Sequence, residues 1–185
     1  AGADIVPVLL SAALCLLASM NDMAAPAVSL EGRSLWLAQS LPVVPWQVLR
    51  AKLDVQLVLT GVPVLFCALC MVITLPGGAL EKVLLVVVAL LYTLLSALAA
   101  LALGLKMPNL TWTNEITPIK QSGSVMLALF VNWAYAIALG GLYFLCGNAL
   151  SAAAYLAIFA VVTAAGSALL LRWVKQQGAR IFAAL

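Results

Sequence analysis

Cys67 and Cys70 form a CxxC, the closest pair of soft ligands in the chain, inside the run VLFCALCMVITL. Cys15 and Cys146 complete the four cysteines, and there is no histidine. Tetrahedral zinc takes about four nitrogen or sulfur ligands, so no metal is expected. Cysteines acting as small apolar residues in a membrane span account for the pair. Without histidine a Ser–His dyad is impossible, and an intramembrane metalloprotease has no ligands. A Ser–Lys pair would need a lysine at membrane depth. The chain lacks G-x-x-x-x-G-K-[ST], so it holds no nucleotide through a P-loop. No enzyme activity and no cofactor are expected, and no clustered basic stripe suggests nucleic acid.

The remaining capable residues gather in two polar segments. The first reads PAVSLEGRSLWLAQSLPVVPWQVLRAKLD, from Pro26 to Asp54. Ser29 is the expected N-cap of a short helix running to about Leu41, with Glu31 in its first turn. Leu30, Leu37 and Leu41 fall near one face, with Arg33, Ser34 and Gln39 largely elsewhere. Pro42 and Pro45 stop this helix, and Pro45 suits the first turn of the next. Such an element either lies in the membrane interface, held by Trp36 and Trp46, or is offered to a partner. The second segment reads GLKMPNLTWTNEITPIKQSGSV, from Gly104 to Val125. A turn or short helix is expected near Thr113, capped by Thr or Asn.

The elements that position these segments are membrane spans. Of 185 residues, 66% are hydrophobic and 8% charged, with a mean hydropathy of +1.19. A soluble domain carries roughly 25% charged residues. A bilayer is the solvent that suits this composition, and a spanning helix needs about 20 apolar residues. Five stretches qualify: about Ile5–Ala25, interrupted by Asn21 and Asp22; Val55–Leu75, kinked by Pro63 near Gly61; Val83–Leu103; Ser124–Leu145; and Ala152–Leu171. The fold class expected is an all-α polytopic bundle of about five spans, one domain over 1–185.

Lysine and arginine set the orientation. Arg33, Arg50, Lys52, Lys106, Lys120, Arg172, Lys175 and Arg180 lie on one side, and Lys82 alone lies on the other. The N-terminus is therefore expected outside and the C-terminus inside. The cytoplasmic segments would cover about 26–54, 105–123 and 172–185. An outside start, in a chain opening Ala1-Gly2, suggests an odd number of preceding spans. The outer connections, PGGALE and GNALSA, are short turns.

Together the two polar segments resemble motifs of bacterial ABC exporter permeases, closest to the Gram-positive type. The first likeness rests on Glu31-Gly32, Leu35-Trp36, Leu41-Pro42-Val43 and Ala51-Lys52. The second rests on Pro108, then Trp112-Thr113-Asn114-Glu115, then Lys120-Gln121. The resemblance implies a multi-pass protein of the bacterial cell membrane, the C-terminal half of a longer permease. It implies a coupling helix that docks a separate ATPase subunit through Glu31, Gly32, Arg33, Leu41 and Pro42. The transport pathway would form with another permease half or a second copy. Glu31→Arg is then expected to uncouple ATP hydrolysis from transport while leaving folding intact.

The spans themselves carry few polar groups: Asn132, Thr60, Thr93, Ser96, Thr163 and Ser167. Bonds across helices or back to their own helix are expected of them. Gly140, Gly141 and Gly166 suit close helix packing. With no Asp, Glu, Lys or Arg mid-span, an ion-coupled carrier is disfavoured. The expected function is an ABC exporter permease. The alternative is a membrane scaffold with no pathway. A lipid, peptide or hydrophobic drug fits the uncharged spans better than a sugar phosphate.

Overall fold

The computed structural model describes residues 5–40, 42–74, 78–114, 116–120, 122–146 and 150–185, with the side chains of Arg33, Ala38, Lys120 and Cys146 outside that description. Lipid offers no partner to peptide N–H and C=O groups, so a chain this apolar must close its backbone hydrogen bonds within helices. The described residues contain helices and no strand. The long helices are α3 (Pro45–Thr74), α4 (Ala79–Lys106), α6 (Gly123–Cys146) and α7 (Ala152–Trp173). Among the described residues, four helices have the length and composition to cross a membrane.

The first expected span takes a different form. Helix α1 covers only Val6–Ser19, 14 residues. At 1.5 Å per residue that is about 21 Å, short of the roughly 30 Å hydrocarbon layer. The chain then leaves the helix at Asn21 and runs as turns to Val28. Ala24, Ala25 and Val28 in this segment are buried. A hydropathy window reads through Asn21 and Asp22, but their side chains favour turns over helix interiors.

Two helices run beyond the apolar stretches they contain. Helix α3 begins at Pro45, as the proline predicts, and carries Arg50 and Lys52 within it. Helix α7 passes through a π-helical turn, Val174–Gly178, into α8 (Ala179–Ala184). The 172–185 tail is thus packed structure, with Phe182 buried.

Helix α4 is the axis, packing against α1, α3, α6 and α7. Two apolar clusters stack along it. One includes Leu14, Val64, Leu85, Tyr92, Leu139 and Leu156. The other includes Leu49, Leu53, Leu98, Leu101, Leu105 and Phe182. Gly104 lets the unwound segment reach α4, because a Cβ there would stand 2.2 Å from the Ala25 carbonyl oxygen. A Cβ at Gly140 would meet Ala12 at ordinary contact, 3.4 Å, one at Gly166 would press on Leu95 at 3.3 Å, and one at Gly141 would meet nothing within 4 Å.

Gly104→Ala is expected to cost about 1–3 kcal/mol, because a backbone atom has to move. Gly61→Ala, where nothing lies within 4 Å, should be neutral or stabilising by up to about 1 kcal/mol. Thermal unfolding of both variants in one detergent checks the contrast.

Candidate functional site

Between the two apolar clusters lies a belt of polar residues. Ser19 ends α1, and Asn21 and Asp22 follow it; Gln56 and Thr60 belong to α3, Thr93 and Ser96 to α4, Asn132 to α6, and Thr163 and Ser167 to α7. Each stands near the middle of its long helix or, for the first three, at the end of α1. Several are locally satisfied. Thr93, Ser96 and Ser167 return their hydroxyls to Leu90, Thr93 and Thr163 carbonyls at 2.7, 3.1 and 2.8 Å. Thr163 bonds the Phe159 carbonyl at 2.5 Å and meets the Tyr135 hydroxyl. These are the self-bonded and cross-helix roles expected of polar groups within spans.

Thr60, Gln56 and Asn132 act differently, because each holds the unwound segment. Asn21 Nδ2 donates to Thr60 Oγ1 at 3.1 Å. Gln56 Oε1 accepts from the Met23 backbone N–H at 2.8 Å. Gln56 Nε2 donates to Thr60 Oγ1 at 3.0 Å and also to the Asn21 carbonyl. The Asn132 amide donates to both Asp22 carboxylate oxygens, at 3.0 and 3.3 Å. Tyr92 donates to the Asn132 carbonyl at 3.0 Å, which ties α4 to the same point.

This arrangement corrects the reading of an empty membrane interior. Asp22 follows a short helix, yet it stands level with the midpoints of α4 and α6. Among the described residues the ion pairs are Arg50–Asp54, at 3.6 Å, and Lys52–Glu31, at 2.7 Å. Asp22 has neither cation beside it. The nearby groove of about 200 Å³ is lined by Leu14, Leu17, Asn21, Thr60, Pro63 and Cys67, among others. Cys15, Cys67 and Cys70 are free thiols, and no metal-binding group of His, Cys, Asp or Glu occurs among the described residues.

The second feature lies at the end of the bundle where Lys52, Lys106 and Arg172 gather. Here the two polar segments meet. Trp112 Nε1 donates to the Ser29 carbonyl at 2.6 Å, and the Asn109 N–H donates to Ser29 Oγ at 3.0 Å. Ser29 is thus a bridge, while the helix it was expected to cap has no side-chain cap. That helix is in fact a 3-10 turn, Ser29–Ser34, joined to a short α2, Leu35–Ser40. Gly32 breaks it with φ +44° and lies beneath the Trp112 ring, 3.0 Å from where a Cβ would stand. The break turns the face, so Leu35 is buried while Leu37 is 54% exposed. Gln39, though exposed, reaches back to α8 and donates to the Phe182 carbonyl at 2.9 Å.

Glu31 does not stand free. Its Oε1 receives Lys52 Nζ at 2.7 Å, and Lys52 also donates to the Ala27 carbonyl at 2.9 Å. The two side chains are only 21% and 16% exposed. An arginine at position 31 would set two cations together, so Glu31→Arg disturbs the junction as well as any docking. Asn114 caps α5 (Ile116–Lys120) by accepting from the Ile116 N–H at 3.0 Å. Thr113 and Asn114 are exposed, Pro108 is half-buried, and Pro42 sits in an exposed bend. Leu41, Glu115 and Gln121, and the side chains of Arg33 and Lys120, lie outside the described residues. Lys106 lies over the Trp173 ring, 5.0 Å from its centroid.

Gln56→Leu should cost about 1–3 kcal/mol, because Met23 N–H and the Asn21 carbonyl lose the buried Gln56 amide as their partner. Protease sensitivity at residues 20–28 should rise with it. Glu31→Lys alone should cost about 2 kcal/mol by losing a charged hydrogen bond. Combining it with Lys52→Glu should recover part of that loss. A double-mutant cycle on unfolding midpoints measures the recovery.

Comparison with protein-family models, with curated proteins and with solved structures finds no match for this chain.

Proposed function

We propose that this chain is the permease part of a membrane transporter driven by a separate ATPase subunit. The observation that carries the reading is the junction at Ser29. Two polar segments about eighty residues apart are fastened to each other there. The same body is fastened to α3 through Lys52 and reaches the end of α4. On its outer side α2 presents Trp36, 67% exposed, and Leu37, 54% exposed. A partner pressing on α2 would move α3, α4 and the unwound segment together. The chain has no P-loop of its own, so the force comes from outside it.

The junction is the cytoplasmic end on this reading, in keeping with its lysines and arginines. The bacterial cell membrane, the N-out orientation and the role of Glu31, Gly32 and Pro42 in coupling belong to the same proposal. Gly32 and Glu31 shape and brace the coupling body, and α2 supplies the contact. Helix α3 turns Val58, Val62, Phe66 and Ile73 outward, a surface for lipid or for the second permease half. A scaffold without a pathway would share the spans but would not require an ATPase.

Tagged chain purified from its native membranes should carry a P-loop ATPase and vanadate-sensitive ATP hydrolysis. Trp36→Ala with Leu37→Ala should lower the recovered ATPase roughly tenfold, about 1.4 kcal/mol of binding. Helicity and unfolding midpoint should not change. ATPase recovery that is absent from the native chain, or unaffected by the double substitution, overturns the reading.

A further inference from the structure

The belt holds one ionisable carboxylate, and its surroundings select what neutralises it. Asp22 stands three residues after the end of α1. The C-terminal end of a helix carries partial negative charge from its unpaired carbonyls. The segment that follows is unwound, so more carbonyl oxygens lie near the same depth. Non-helical backbone at membrane depth is found where it is buried in protein or lines a cavity. Half-helix C-terminal ends and unwound carbonyls are suited to small cations.

Among the described residues no lysine or arginine pairs with Asp22. Asn132 of α6 supplies an amide to the carboxylate. Tyr92 of α4 feels the Asp22 charge, and Cys15 and Tyr135 stand around Tyr92; none of the three is basic. Lys52, on α3, is committed to Glu31 and the Ala27 carbonyl. An unpaired carboxylate in a low-dielectric interior is costly and must gain a positive charge or neutralise. Asp22 is nevertheless only partly buried.

We propose that Asp22, held by Asn132 at the break after α1, binds a single positive charge. The ligand is a small monovalent cation, and Na⁺, K⁺ or H⁺ can supply that charge. Divalent metals are unsuited, because no second carboxylate joins Asp22 among the described residues. Occupation would neutralise the belt and tie α6 to the unwound segment through a filled site. The inference does not rest on the ATPase reading, and a chain without an ATPase partner would still bind the ion.

The test uses the full chain in lipid nanodiscs. Unfolding midpoints are measured in NaCl, KCl and N-methylglucamine chloride at constant chloride. A pH series follows the infrared stretch of protonated carboxyl groups. A saturable rise in midpoint with Na⁺ or K⁺ identifies a metal cation. A carboxyl band that titrates without such a rise identifies the proton. Either response should vanish in Asp22→Asn. Should that variant fail to fold, Asn132→Asp adds a second carboxylate and should bind the same cation roughly tenfold tighter, since affinity follows ligand charge. A native chain that responds to none of the three, an unchanged response in Asp22→Asn, or unchanged affinity in Asn132→Asp overturns the proposal.

Discussion

A backbone that stops being helical in lipid must find its hydrogen-bond partners among neighbouring helices, and the rest of this structure follows from that constraint. Helix α1 ends at Ser19, and its successor segment has peptide groups with no helical partner. Gln56 answers two of them, at Met23 and Asn21. Lys52 answers Ala27 one turn further along α3. Helix α3 therefore acts as a rail for the unwound segment. Gly104 allows the segment to lie directly on α4. Without those fittings, the buried polar groups would each cost a few kcal/mol.

The same rail links the two candidate sites. Thr60, Gln56 and Lys52 follow one another at four-residue spacing on one face of α3. Thr60 and Gln56 meet the polar belt, and Lys52 meets Glu31 at the junction. A displacement of the junction along the helix axis therefore acts on the residues that hold Asn21 and Met23. A row of hydrogen bonds on one helix joins the junction to the belt.

Much of the fold was legible in the sequence, for a plain reason. Long apolar runs bounded by glycine, proline and charge state their helices openly, and α3, α4, α6 and α7 follow. Pro45 announced the start of α3, and Asn114 was among the capping candidates for the second segment. What stayed hidden depends on distance. Nothing in Ser29 or Trp112 reveals their bond across the chain. The broken first span had a local signal, Asn21-Asp22, but a window average dilutes two polar residues among many apolar ones. The belt had a distributed signal, one polar group near the middle of each span. It becomes visible only when the helices are aligned by depth. Gly32 read as part of a motif, whereas its positive φ and its place under Trp112 are properties of the folded junction.

The half-length of α1 also has a consequence for biogenesis. Synthesis runs from the N-terminus, so α1 and the unwound segment reach the membrane before α3, α4 and α6. Until Gln56 arrives, Met23 and Asn21 have only water or the insertion machinery to bond. Until α6 arrives, Asp22 lacks its amide. The first apolar stretch thus enters the bilayer unfinished and is completed by the later helices. The order of translation makes residues 20–28 settle only after α3 and α6 are in place, although they are made before them.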